Sequence, residues 1–208
     1  YSQQFRDAST LSDLDQYNNN NGVSVADYDQ DGDLDIFLVS YYSDGNNDSR
    51  LLENTNNGNF IDVTAATGIN QNLNHEIDLP SGFYFGDRLS ASWGDFNNDG
   101  YPDLFLGNSV QSELYKNNGD GSFTNITESA GFQVSCEDCY ITGALWLDYD
   151  LDGFLDIFLS DYHSDSINKL YRNLGNETFE LIDLTITKEF VRSKLFEFKD
   201  FKNSFSLI

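Results

Sequence analysis

Residues 27–35 read Asp-Tyr-Asp-Gln-Asp-Gly-Asp-Leu-Asp, and the arrangement returns at 95–103 (Asp-Phe-Asn-Asn-Asp-Gly-Tyr-Pro-Asp) and 148–156 (Asp-Tyr-Asp-Leu-Asp-Gly-Phe-Leu-Asp). Oxygen-bearing side chains fall at positions 1, 3, 5 and 9 of each stretch, with Gly at position 6. A hard cation such as Ca²⁺ needs this from one short loop, because it gathers about six to eight oxygens from carboxylates, amides and main-chain carbonyls. The expected ligands of the first loop are Asp27, Asp29, Asp31 and Asp35, with the carbonyl of Asp33. Asp95, Asn97, Asp99 and Asp103 serve the second with the carbonyl of Tyr101, and Asp148, Asp150, Asp152 and Asp156 the third with that of Phe154. Position 7 varies freely, as expected if its carbonyl matters and its side chain does not. Gly32, Gly100 and Gly153 supply the sharp bend. An EF-hand is excluded, since it needs a bidentate Glu at position 12, and here that position is Leu38, Leu106 and Leu159. A single Asp-Gly-rich stretch would read as a solvated turn. Three copies with the same neighbours read as a repeated metal loop.

Those neighbours are strands. Each loop is preceded by a short apolar stretch (23–26, 91–94 and 144–147) and followed by an apolar run (34–39, 104–106 and 155–159). Strand, loop, strand is a hairpin whose turn an ion would close. A second hairpin follows each one. Its first arm ends at Asn54, Asn117 or Asn173, its turn carries Gly58, Gly119 or Gly175, and its second arm opens with Phe60, Phe123 or Phe179. An earlier Phe copy stands at Phe5, and a looser one runs from Phe179 to Thr185. The Phe positions lie 55, 63 and 56 residues apart. Four short strands per repeat of this length, joined by tight turns, indicate an all-β chain of β-propeller-type four-stranded blades. About three such repeats cannot close a ring of roughly four to eight blades. The set is therefore not closed by this chain alone.

With these loops and flanks, the repeats resemble the FG-GAP, or VCBS-type, calcium repeat known from integrin α-chain propellers. They resemble in particular the secreted branch that includes cartilage-acidic-protein-like proteins. The resemblance implies a calcium-binding propeller domain over residues 1–183, with hairpins at 27–35, 95–103 and 148–156. Residues 184–208 form a non-repeat tail. About three Ca²⁺ ions are expected, each structural, since its ligands close one hairpin and leave no open position for a substrate.

The formal charge of −24 comes from 11 basic and 35 acidic residues, twelve of the latter inside the loops. Such a chain repels nucleic-acid phosphates and anionic lipid, so neither is an expected partner. An apolar content of 39% with 15% aromatic residues argues for a packed core rather than disorder. No apolar run approaches the ~20 residues of a membrane span, so no membrane insertion is expected. A chain that opens at Tyr1 and contains no Met is expected to be a mature product or a piece of something longer. An extracellular place (secreted or cell-surface) suits weak Ca²⁺ loops, because free Ca²⁺ there fills sites with Kd on the order of 10⁻⁴ to 10⁻³ M. Cys136 and Cys139 fit that compartment if they close a small disulfide ring within a loop. Half a zinc site lacks a second Cys pair, and a redox pair would want a helix after it. Asn47, Asn125 and Asn176 head glycosylation sequons; Asn47 is expected to be the most accessible and Asn125, in a strand motif, the least.

Catalytic signals are weak, and the expectation is that the chain is not an enzyme. His75 and His163 are the only histidines and lack zinc-ligand spacing, while Asp161 and His163 read as a surface turn. Neither a nucleophile-elbow motif nor a Gly-rich phosphate loop occurs. The insertion at 70–88, with Phe83-Tyr-Phe, is a candidate recognition loop or a tolerated insertion. From Leu184 onward the chain carries five of the 11 basic residues against three acidic ones. Val191, Leu195, Phe198, the stem of Lys202 and Phe205 follow helical spacing, while Phe196 and Phe198 also suit a strand. Open blade edges and a cationic, Phe-rich tail point to a homo-oligomer, ring or filament built head to tail. The leading expectation is thus an extracellular structural or adhesive calcium protein that self-associates. The alternatives are a ligand- or glycan-recognition module of a larger receptor-like protein, whose partner is another extracellular protein or glycan, and a fragment of a carbohydrate-active enzyme.

Overall fold

Alternating side chains cut by Asp-Gly and Asn-Gly turns fold into twelve strands among the described residues. A computed structural model describes residues 14, 20–40, 49–55, 58–69, 88–108, 112–132, 140–162 and 168–182. The Phe5 copy, Asn47, insertion residues 70–87, Cys136 and Cys139, both histidines and the tail lie outside the described residues. The first sheet is β1 (Asn20–Ala26), β2 (Asp35–Ser40), β3 (Arg50–Asn54) and β4 (Phe60–Asp62). The second is β5 (Arg88–Gly94), β6 (Asp103–Asn108), β7 (Glu113–Asn117) and β8 (Phe123–Asn125). The third is β9 (Ile141–Leu147), β10 (Asp156–Asp161), β11 (Lys169–Asn173) and β12 (Phe179–Ile182). Each is an antiparallel meander in chain order, so the four-strand blade read from the repeat is what forms, and none of the three sheets is closed.

The registers repeat as well. In each sheet the first strand pairs with the second up to the metal loop, as Ala26 with Asp35, Gly94 with Asp103 and Leu147 with Asp156. At the far end of each pair the register slips by one residue. A bulge at the same place in all three sheets adds twist where the first strand leaves the blade. One boundary differs from the sequence reading. Arg88 is not loop but the first residue of β5, buried with its guanidinium 3.2 Å from Glu113 Oε2, and Tyr115 Oη donates to Glu113 Oε1 at 2.9 Å. A buried Arg needs such a partner, and Glu113 supplies it.

The core lies between the sheets. Tyr28, Phe37, Leu51 and Ile69 of the first repeat meet Leu104, Tyr115, Phe123 and Trp93 of the second. Phe96, Phe105, Leu114 and Phe132 of the second meet Ile157, Tyr171, Phe179 and Trp146 of the third. The two junctions use the same parts. Ile69 and Phe132, each after a glycine in left-handed backbone (Gly68 φ 82°, Gly131 φ 80°), enter the gap between sheets. Backbone hydrogen bonds cross at the same point, from Phe123 N–H to the Thr67 carbonyl at 2.7 Å and from Phe179 N–H to the Ala130 carbonyl at 2.8 Å. Phe132 lies 4.6 Å from the Tyr171 ring and 4.7 Å from that of Phe179. At Gly94 a Cβ would stand 2.6 Å from the Trp146 ring, so only glycine lets the indole lie flat on the neighbouring strand.

The outer faces of the row repeat these junction registers, with no further sheet against them among the described residues. Val25 occupies the register of Trp93 and Trp146 and is 53% exposed. On the third sheet, Leu145 is exposed, and Phe158 is only half-buried where its counterparts Phe37 and Phe105 are fully covered.

Candidate metal centre

Each loop bridges the first two strands of its sheet, and one hydrogen-bond pattern shapes all three. The Asp at position 1 accepts from the N–H of the position 6 glycine: Gly32 to Asp27 Oδ2 at 3.1 Å, Gly100 to Asp95 Oδ2 at 2.9 Å and Gly153 to Asp148 Oδ2 at 3.0 Å. The Asp at position 5 accepts from the N–H of position 7: Asp33 to Asp31 at 3.0 Å, Tyr101 to Asp99 at 2.9 Å and Phe154 to Asp152 at 3.0 Å. The bonds from position 7 to position 5 are Asx-type turns, and together with the longer bonds to position 1 they fold the loop back so that alternate side chains converge. Position 4 takes left-handed backbone in every loop, with φ of 62° at Gln30, 57° at Asn98 and 62° at Leu151. That cost on non-glycine residues, repeated three times, marks a loop whose shape is held from several sides.

Position 9 anchors the loop. Asp35, Asp103 and Asp156 are buried, and each uses both oxygens. Oδ2 accepts from position 2 (Tyr28 N at 3.1 Å, Phe96 N at 3.1 Å, Tyr149 N at 3.0 Å), and Oδ1 accepts from the third strand (Asn54 N at 2.9 Å, Asn117 N at 2.8 Å, Asn173 N at 2.8 Å). Burial nonetheless dominates their acidity. It pushes Asp35 up to about 6 and Asp103 up to about 7, and also raises Asp156 and Asp29, with neighbouring loop carboxylates adding to the rise. By themselves these groups ionise less readily than free carboxylates.

The structure brings one ligand oxygen each from Asp27, Asp29 and Asp35 within 4.8 Å of one another, and likewise from Asp148, Asp150 and Asp156. In the second loop Asn97 replaces an Asp at position 3, and its amide donates to Asp99 Oδ2 at 2.8 Å. The donor set fits a hard cation. Asp27 Oδ1 is buried and accepts no hydrogen bond, which is an oxygen with an open coordination direction. Converging carboxylates and an orphaned buried oxygen are what a bound Ca²⁺ would satisfy, and the residues present could hold it.

Several residues that matter here were not singled out in the sequence. The Asn ending the third strand does more than end a hairpin. Asn117 Nδ2 donates to the Tyr28 carbonyl of the preceding loop at 2.8 Å and to the Pro102 carbonyl of its own at 3.1 Å. Asn173 does the same to the Phe96 carbonyl at 2.7 Å and the Leu155 carbonyl at 3.0 Å. Position 4 links loop to loop: the Gln30 amide donates to the Gly100 carbonyl, and Asn98 Nδ2 to the Gly153 carbonyl at 3.1 Å. The recurrence of Asn at 54, 117 and 173 was the available signal. The expectation that position 7 side chains are idle needs correction, because a Cβ on Gly119 would lie 2.9 Å from the Tyr101 ring and one on Gly175 2.8 Å from the Phe154 ring. Each ring covers the glycine turn of the next hairpin. Among the sequons, Asn125 is exposed rather than shielded, yet its Oδ1 accepts from Thr127 Oγ1 at 2.7 Å; Asn176 is exposed too.

Comparison with known proteins agrees with the repeat. Residues 95–159 match the family model of the FG-GAP-like repeat. Cartilage acidic protein 1 of Homo sapiens is 27% identical over 178 residues, and that of Mus musculus 26% over 175; each alignment covers 83% of this chain and 24% of the relative. The chain thus spans about a quarter of the length of these relatives. A solved structure concerned with recognition of non-reducing terminal N-acetylglucosamine by an Agrocybe aegerita lectin is similar over 80% of this chain and 38% of that one, with a TM-score of 0.48 and 17% identity. Among the described residues no helix is long and apolar enough to cross a membrane.

Proposed function

We propose that this chain is a non-catalytic, extracellular calcium-binding repeat protein with a structural or adhesive role. Ca²⁺ is held in each of the three loops by the side chains at positions 1, 3, 5 and 9 and the carbonyl of position 7. The observation that carries this reading is the buried, unpartnered Asp27 Oδ1 among the converging Asp27, Asp29 and Asp35. The ion turns mutual repulsion of the loop carboxylates into cohesion and relieves the burial penalty on position 9. Calorimetric titration of chelator-stripped protein tests it. Three Ca²⁺ per chain are expected, and Asp31→Ala or Asp152→Ala should each abolish one site and lower the melting temperature in Ca²⁺. Unchanged stoichiometry in both variants refutes the ligand assignment, and no uptake at millimolar Ca²⁺ refutes the function.

The second part of the proposal is self-association of the row of blades, end face to end face. It is supported by the apolar residues left uncovered at the junction registers, Val23 and Val25 on one end and Leu145 and Leu151 on the other. Sedimentation in millimolar Ca²⁺ should show concentration-dependent oligomers that Val25→Asp disperses. A monomer at every concentration refutes this part.

A further inference from the structure

The residue just before the strand-ending Asn differs in each repeat, and its side chain goes to a different place each time. In the first it is Glu53, whose Oε2 accepts from Tyr28 Oη at 3.1 Å. In the second it is Lys116, whose ammonium pairs with Glu177 of the next sheet. In the third it is Arg172, and its guanidinium lies on the metal loop itself, Nε 2.8 Å from Asp150 Oδ2 and a terminal nitrogen 3.5 Å from Asp152 Oδ2. Asp150 belongs to the converging carboxylates of that loop. A guanidinium is protonated at any ordinary pH, and the Asp150 and Asp152 carboxylates beside it favour that form further.

We infer that Arg172 is a built-in counter-cation of the third loop, which lowers that loop's affinity for Ca²⁺ and keeps its turn formed when Ca²⁺ is scarce. This rests on the proposed Ca²⁺ function and adds a ranking of the sites to it. A Ca²⁺ ion sits about 2.4 Å from a ligand oxygen. An ion on the Asp150 oxygen that Arg172 also meets therefore lies no farther than about 5 Å from the guanidinium. A dication and a monocation at that separation, in water-like dielectric and physiological salt, repel enough to weaken binding roughly five- to fifteen-fold. The same charge, in the absence of Ca²⁺, offsets part of the repulsion among Asp148, Asp150 and Asp152. At the matching register the first loop faces an acid and the second a lysine turned to another sheet, so neither carries this restraint. The third hairpin thus fills later than its four carboxylates alone would have it, and depends less on filling.

The test is Ca²⁺ calorimetry on the full chain, with Asp148→Ala used to identify the third-site phase. In the wild type that phase should be weaker than the first-site phase, which Asp27→Ala identifies in the same way. Arg172→Gln should strengthen it five- to fifteen-fold and leave the other two where they were, while Arg172→Lys, which keeps the charge, should stay near wild type. The wild-type protein offers an independent reading. Its third phase should lose affinity less steeply between about 50 and 300 mM NaCl than the first, because five carboxylates act in the first loop, whereas the guanidinium offsets one of the four in the third. A third-site affinity that is unchanged or weaker in Arg172→Gln, or an equally steep salt dependence at the first and third sites, overturns the role of Arg172. Uptake at none of the loops would instead overturn the Ca²⁺ function itself.

Discussion

Asn54, Asn117 and Asn173 end the third strand of each sheet at one register, yet among the described residues only Asn117 and Asn173 reach a preceding loop, so truncating each to Ala measures the junction against its own control. Asn117 is fully buried. Its Nδ2 donates to the Tyr28 and Pro102 carbonyls, and its Oδ1 accepts from Gly119 N–H at 3.0 Å. Three neutral hydrogen bonds at about 1 kcal/mol each, with the buried Tyr28 carbonyl left unpaired, put the cost of Asn117→Ala near 3 kcal/mol. Asn173 makes the matching bonds to Phe96, Leu155 and Gly175, so Asn173→Ala should cost about the same. Among the described residues Asn54 reaches only its own loop, with one exposed bond to the Leu34 carbonyl at 3.3 Å, and Asn54→Ala should cost about 1 kcal/mol or less. Urea unfolding in saturating Ca²⁺ reads the three values, and fixed Ca²⁺ keeps the linkage contribution constant. Equal losses at all three positions would refute the reasoning, because the reach into the preceding loop would then contribute nothing.

Phe132→Ala removes the ring wedged between Phe105, Tyr171 and Phe179 and should destabilise by about 3–5 kcal/mol in the same assay, more than any exposed loop substitution. Gly94→Ala sets a methyl against the Trp146 ring and should cost about 1–3 kcal/mol, with red-shifted tryptophan emission as the ring is displaced. Asp35 and Asp103 titrate near 6 and 7 in the folded chain, above the unfolded value of 3.8, so the unfolded state releases protons first. In chelator, their contribution is therefore fully present below about pH 4 and is lost as pH rises through 6 to 7. Excess Ca²⁺ should invert the trend, since the ion binds the ionised carboxylates. Melting temperatures at pH 4.5 and 7.5, with and without chelator, check the sign.

Much of the fold was written locally. Asp spacing around Gly32, Gly100 and Gly153 placed the loops, and the Phe period placed four strands per repeat, because both depend on contacts within one hairpin. What could not be read was reach across sheets. The Asn117 amide meets a carbonyl 89 residues earlier, and nothing in its own neighbourhood distinguishes it from Asn54. The same is true of the Gln30 and Asn98 amides. The rings of Tyr101 and Phe154 looked idle because position 7 varies, but each covers a glycine turn in its own sheet. Arg172 was one more basic residue on a strand until the loop carboxylates were placed beside it.

The junction between sheets is a rule that can be applied again. What the second sheet takes from the first, the third takes from the second: an amide on a carbonyl, an indole on a strand, an apolar wedge after a glycine. A tandem duplication of residues 95–147 would therefore hand each new partner to a group already waiting for it, with no new surface to invent. Lengthening by whole units is the large change this architecture accepts most readily, whereas the deletion of a single residue inside a loop would break contacts in two units at once.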